Sequence, residues 1–428
     1  MRKKMAGIIL FILLQSGTVL FSQNYLPRIS VPISFESFVK SVGTGNLSYI
    51  SEQFNVSIAE AMLAASKVFP DPELSFAYGN NEDRTLKMGQ SVDAGISYPV
   101  SLGNKRAANI SLARSQLSLS QMVLDAFYQN LRAEAAKEYF AALRDLKIYQ
   151  MQKENLEKLK SLARADSLRL VNGESSNIDA MQSSLEARAF VGIVFQSLSD
   201  MQNSSYELLR LMGIRSDDTL RVPSDEFPVN GKKFELSDLV TGALQKRADL
   251  LIAITNKEIS EKNLRLLKAS RAPELTLSAG YAHNYIANNI ISPAPAYNAI
   301  TAGVGFPIKF SNLNRNPVKT ASLAIQQNDI LRKNTENQII SEITEMYNKY
   351  LSSDKRVNLY KSGIIADAEK ILAGRIYSYQ HGETGLIEVL NAQRTYIELK
   401  QNYINAMFEC ISALIDLEHA AGIWDINN

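Results

Sequence analysis

Asp93-Ala-Gly-Ile-Ser-Tyr-Pro-Val-Ser-Leu-Gly-Asn-Lys-Arg106 changes its period halfway along. Val92, Ala94, Ile96 and Tyr98 put apolar groups on one side, and Ser91, Asp93, Gly95 and Ser97 put small or polar groups on the other. A period of two is that of a strand with one oily and one wet face. Pro99 then withholds a backbone donor, and no strong helix breaker follows until Gly173. The pattern predicts a strand joined directly to a very long helix. Thr301-Ala-Gly-Val-Gly-Phe-Pro-Ile-Lys-Phe-Ser-Asn312 repeats it: Ile300, Ala302, Val304 and Phe306 alternate with Thr301, Gly303 and Gly305, and Pro307 closes the strand.

Upstream of the first junction, Leu74, Phe76 and Tyr78 alternate with Ser75 and Ala77, so residues from about 73 to 98 read as a hairpin. The helix that follows covers about 102–170, on the order of 100 Å at ~1.5 Å per residue. Its Ile110, Leu117, Leu124 and Leu131 recur every seven residues, the spacing of a coiled-coil seam. Asn172-Gly173 breaks it, and Ser175 or Ser176 is placed to cap a return helix over about 175–212. A helical tract from Phe35 to Phe69, broken at Gly43-Thr-Gly45, comes before all of this, and an extended leader before that.

The order then restarts at Phe234. A second hairpin is expected over about 274–306 and a second long helix over about 313–380, with Ile343, Tyr350, Val357, Ile364 and Ile371 seven apart. His381-Gly382 breaks it before a return helix over about 383–421. Pro72 and Pro273 are 201 positions apart, Pro99 and Pro307 are 208, and the pairs Gly173–Gly382 and Gly213–Gly422 are both 209. One insertion in the second hairpin loop accounts for nearly all the drift. The chain is thus expected to be a duplication, with repeats over 23–230 and 231–428.

Met1-Arg-Lys-Lys, an apolar run from Ala6 to Leu14 and a cleavage region at Ser22 read as a secretory signal peptide over 1–22. That run is far shorter than the ~20 residues of a spanning helix. Loss of Arg2, Lys3 and Lys4 tips the formal charge of +2 slightly negative, which gives no support for a nucleic-acid partner. The single cysteine, Cys410, lies in a helical pattern, so neither a disulfide nor a thiolate metal cluster is expected. His283, His381 and His419 share no metal-ligand spacing, and no nucleophile elbow, phosphate loop or dinucleotide fingerprint occurs. No catalytic residue, cofactor or metal is therefore expected, and the chain does not read as an enzyme.

Strands of nine or ten residues fit a tilted membrane crossing. Four of them cannot close a barrel, and lipid does not tolerate an open edge, so several copies must share one. Three copies would give twelve strands around a polar lumen. Asp93 is then expected to face the lumen, and Pro99 to mark the level where barrel hydrogen bonding stops. The alternative is a soluble periplasmic coiled-coil adaptor or structural protein whose strands cap a helical bundle. It leaves the leader and the wet second face to separate explanations.

In the order and spacing of these parts, over essentially the whole mature chain, the sequence resembles the TolC family of outer-membrane efflux ducts. The resemblance implies an α+β membrane protein, a trimeric twelve-stranded β-barrel in outer-membrane lipid continued into a long α-helical periplasmic tunnel. It implies passive conduction to the exterior, as a homotrimer partnered by a periplasmic adaptor (membrane fusion) protein and an inner-membrane efflux pump of RND or ABC type. It further implies a gate where the helix pairs converge. Tyr379-Gln-His-Gly-Glu-Thr-Gly-Leu-Ile-Glu-Val-Leu-Asn-Ala-Gln393 is similar to the family's gate segment. On that match Glu388 takes an acidic-ring position and Tyr379 a position in a hydrogen-bonded latch. Asn391 stands where a second acid occurs and Thr384 where a latch arginine occurs; both departures weigh against a double acidic ring and an arginine latch. Asp179, six residues after Gly173, matches the latch partner. From the residues alone, Glu388 and Asp179 equally suit the first turn of a helix, where the dipole favours acids.

Overall fold

The computed structural model describes residues 29–81, 87–215, 219–228, 231–307 and 315–425; the leader over 1–22 lies outside them. The first half of the chain runs β1 (Ile29–Ile33), α1 (Phe35–Gly45), α2 (Leu47–Ser66), β2 (Glu73–Asn80), β3 (Gln90–Ser101), α3 (Lys105–Val171), α4 (Asn177–Leu211) and β4 (Thr219–Pro223). The second runs α5 (Leu236–Lys246), α6 (Ala248–Ala269), β5 (Glu274–Asn284), β6 (Tyr297–Gly305), α7 (Arg315–Leu359), α8 (Ile365–Gln380) and α9 (Leu386–Ala420). With 67 residues, α3 reaches about 100 Å.

The larger sheet is antiparallel, in the order β2-β3-β5-β6, so the two hairpins join through β3 and β5. Its registers sort the side chains by face. Ser75, Ser91, Asp93, Gly95, Ser97, Ser278, Gly280, Thr301 and Gly303 share one side. Leu74, Phe76, Tyr78, Val92, Ile96, Leu277, Tyr281, Ile300 and Val304 share the other, and all nine are exposed. On the polar side glycines stand opposite hydroxyls. A Cβ on Gly79, Gly95, Gly280 or Gly303 would come within 2.8 Å of the oxygen of Ser91, Ser75, Thr301 or Ser278 respectively.

Barrel hydrogen bonding does not stop at Pro99. Pairing with β2 ends at Ser97 opposite Glu73, but pairing with β5 continues through Pro99 and Thr276 to Ser101 and Glu274. The proline is tolerated because β3 has a partner on one side only at that level.

β1 and β4 form a parallel two-stranded pair, where the sequence suggested only an extended leader and a linker. Around it gather Phe35, Phe38, Tyr139, Phe140 and Phe227. The buried Tyr139 donates a bifurcated hydrogen bond to the Ile33 carbonyl (2.8 Å) and Asp225 (2.7 Å), and Asp225 also accepts from the Phe35 N–H at 2.6 Å. Tyr350 makes a related tie in the second repeat, donating to the Lys232 carbonyl at 2.9 Å.

The second long helix is interrupted. Residues Tyr360–Ile364 form a π-helical turn between α7 and α8, with Gly363 at a φ of 129°. Gly173 follows Pro99 by 74 positions, whereas Gly382 follows Pro307 by 75. A π-turn is how a helix absorbs one extra residue, and here it rotates the face beyond it by about 100°. Ile343, Tyr350 and Val357 are buried in register, but beyond the turn the buried side chains are Ala368, Leu372 and Tyr379, and Leu372 and Tyr379 fall one position later than that heptad. Ile371, expected on the seam, is therefore 60% exposed.

Candidate functional site at the helical tip

Far from the sheet, α3 and α8 end in the same way. Gly173 and Gly382 adopt φ values of 76° and 75°, a left-handed conformation that glycine takes without strain. The N–H groups of Glu174 and Glu383 then reach back to the carbonyls of Arg169 (2.8 Å) and Ser378 (2.9 Å), closing both helices in Schellman turns. Ser176 caps α4: its hydroxyl accepts from the Asp179 N–H at 3.0 Å and donates to the Asp179 carboxylate at 2.7 Å. Gly385 holds the corresponding place before α9 and has no side chain to do this. Asp179 and Glu388 are thus duplicates of one another, each the third residue of its return helix.

Glu388 faces Arg375 across the turn at 3.7 Å, with both side chains about half exposed. The two tip segments, 166–179 and 375–388, carry the acids Asp166, Glu174, Asp179, Glu383 and Glu388 against Arg169 and Arg375, a net of −3 per chain with histidine neutral.

Tyr379 is 7% exposed, and its hydroxyl donates to Asp166 at 2.7 Å. Asp166 lies on α3 and is fully buried, and its second oxygen accepts from none of the described residues. Arg169, one turn along, donates to the Tyr379 carbonyl at 3.2 Å and lies 4.8 Å over the ring. Burial, reinforced by the bond to Asp166, pushes the phenol up to about 12, so Tyr379 remains a donor at any physiological pH. The bond ties the ends of the two long helices together.

Asp179 is therefore not the acceptor for Tyr379; Ser176 engages it, although it is close enough to act on the phenol electrostatically. Asp166 was missed by sequence reasoning. Its signal was there to find: Gln152, Leu159 and Asp166 are seven apart and all buried, which puts a carboxylate in the coiled-coil seam. Thr384 is half-buried in its turn with a hydroxyl that has no partner among the described residues, as does Ser175 in the other. Asn391 is exposed on α9, about one turn beyond Glu388. Asp93 belongs to the sheet, where it accepts from Ser91 at 3.2 Å on the face opposite Val92 and Ile96. Among the described residues there is no group of three or more side chains suited to a metal, and no helix is long and apolar enough to cross a membrane.

Strands with an outward apolar face, at one end of helices about 100 Å long, are the build of a channel that crosses a membrane by its strands and reaches away from it by its helices. Residues 239–423 match the family model described as outer membrane efflux protein. The chain is 22% identical over 427 residues to the cobalt-zinc-cadmium resistance protein CzcC of Cupriavidus metallidurans, covering 96% of each. It is 21% identical over 397 residues to the outer membrane protein TolC of Vibrio cholerae, covering 88% of this chain and 89% of that one. Its fold matches the crystal structure of CusC with a TM-score of 0.74, at 16% identity, over 91% of this chain and 92% of that one. The family match falls within the second half of the sequence, and the chain aligns with both relatives over most of its length. It is an efflux channel of the outer membrane, with its helical tunnel in the periplasm.

Proposed function

We propose that three copies of this chain close one twelve-stranded barrel over a single tunnel, and that the paired tip turns form its gate. The observation that carries this is the four-stranded sheet with two open edges. β2 and β6 each have one partner, and unpaired backbone groups are not sustained in lipid. The duplication supplies the missing contact: as β3 pairs with β5 inside the chain, β6 pairs with β2 of the next copy. Exposed apolar residues on the helices, among them Phe54, Ile58 and Met62 on α2, Met181, Leu185 and Phe195 on α4, and Leu323, Ile330 and Leu331 on α7, support the same closure.

The protein performs no chemistry in this reading. It conducts cargo outward when a periplasmic adaptor and an inner-membrane pump, of RND or ABC type, engage the tip. Docking favours an arrangement in which α8 has parted from α3, because the partner contacts that arrangement better. Tyr379 and Asp166 hold the closed state, Thr384 lies in the moving turn, and Asp93 faces the lumen of the barrel. Glu388, Asp179 and their neighbours give the constriction its negative field, with Asn391 on the same wall and adding no charge. Cargo is selected by the pump.

Replacing Glu388 by Ala tests the gate. Removing a charge is worth about 1 kcal/mol at contact distance even in a water-like medium, so block of the channel by a divalent cation in planar bilayers is expected to weaken by several-fold or more. Unchanged block and selectivity would place Glu388 away from the constriction.

A further inference from the structure

We propose that the junction between strands and helices carries a basic collar that binds the phosphate groups of anionic phospholipids in the periplasmic leaflet. The charge is distributed unevenly along the molecule. α3 begins with Lys105 and Arg106 and has no acid before Asp125; α7 begins with Arg315, carries Lys319, and has no acid before Asp329. α2 ends at Lys67, and α6 ends with Lys268 followed by Arg271. The acids at this level are Asp71, Glu73 and Glu274. At the opposite end of the sheet, residues 285–296 between β5 and β6 contain no charged side chain, and residues 81–89 between β2 and β3 carry two acids, Glu82 and Asp83, balanced by Arg84 and Lys87. General solubility would not concentrate cations at one rim.

Contacts show that these chain segments share a level. The Arg106 guanidinium donates to the Lys67 carbonyl and lies 3.9 Å over the Phe69 ring. Lys105 pairs with Glu274 at 3.5 Å. Gly103 is seated on the turn after α6, where a Cβ would meet Ala272 at 2.5 Å and the Ala269 carbonyl at 3.2 Å. The ends of α2 and α6 and the start of α3 therefore meet where the strands stop. Val68 and Phe69, 67% and 62% exposed, stand beside the cations. Exposed apolar groups flanked by long basic side chains match the boundary between acyl chains and headgroups, where the aliphatic stems lie along the lipid and the charges reach the phosphates. The outer-membrane location puts this rim at the membrane surface, which selects a lipid over a protein as the occupant.

The test uses the full chain purified in detergent micelles doped with phosphatidylglycerol or phosphatidylcholine, with retained lipid counted by native mass spectrometry. Phosphatidylglycerol is expected to be retained about fivefold or more over phosphatidylcholine, with the preference falling as salt is raised. Lys67, Lys268 and Lys319 have exposed side chains, so the triple variant K67Q/K268Q/K319Q should fold and lose most of the preference. Equal retention of the two lipids by the parent would overturn the proposal. So would an undiminished preference in the folded variant, including one accompanied by loss of binding to an acidic periplasmic protein, which would make the collar a protein-docking surface.

Discussion

A channel carrying Tyr379→Phe is expected to leak in planar bilayers: its resting conductance should rise well above that of the parent while its fully open conductance stays the same. The substitution removes one hydroxyl and keeps the ring that Arg169 covers. What it takes away is the one hydrogen bond that the described residues make to the buried carboxylate of Asp166. A hydrogen bond to a charged group contributes about 1.5–3 kcal/mol, so in the proposed trimer three copies would bias the closed arrangement by about 5–9 kcal/mol, a factor above 10³. The double variant Tyr379→Phe/Asp166→Leu separates the latch from simple stability. Replacing both partners of a buried hydrogen bond by apolar groups of similar shape is nearly neutral, so this variant should melt close to the parent and still leak. A tight resting state in both variants would count against the latch.

Gly213→Ala is expected to destabilise the protein by more than about 3 kcal/mol, with most of the chain failing to accumulate in folded form. Gly213 has a φ of 70°, and a Cβ there would lie 2.0 Å from the carbonyl oxygen of Gly45. A Cβ on Gly45 would in turn lie 2.3 Å from the Met212 carbonyl oxygen. Both obstacles are backbone, so no side chain can rotate away; the ends of α1 and α4 would have to part. That would also pull Asn46 off the Leu211 carbonyl, to which its buried amide donates at 3.0 Å. Gly422, its duplicate, provides the contrast. Its φ is 66°, but the nearest atom to an added Cβ is on the Arg247 side chain at 3.5 Å. Gly422→Ala should therefore cost only about 1–2 kcal/mol, the penalty of the left-handed backbone itself. Thermal melts of the two variants in detergent check the difference, and equal losses would show that the close approach at Gly45 is not the cause.

Much of the architecture was legible because it rests on long periodic signals. Alternation through Val92, Ile96 and Tyr98 and its echo through Ile300 and Val304 reveal faces that no single residue could. Glycine at 173 and 382 marks two helix ends because a positive φ is required there. Short elements escaped: β1 and β4 are five residues each, and neither is stable without a partner far away in sequence. The π-turn was present in the spacing as a single surplus residue, but only the structure locates it at Tyr360–Ile364 and explains why Ile371 leaves the seam. At the tip, the family match pointed to Tyr379 and Asp179, whereas within the chain Tyr379 donates to Asp166. Asp179 suits the first turn of α4, where its own helix end and Ser176 engage it, whereas Asp166 is recognisable only as an acid at a position the heptad reserves for apolar groups.

A cryo-electron microscopy reconstruction of the purified full chain in lipid nanodiscs tests the trimeric barrel most directly. One three-fold particle is predicted, with twelve strands in the lipid, β6 of each chain hydrogen-bonded antiparallel to β2 of the next, and the helices merging into one tunnel. A single-chain particle with its four strands outside the lipid, or a barrel closed by a different number of strands, would contradict it.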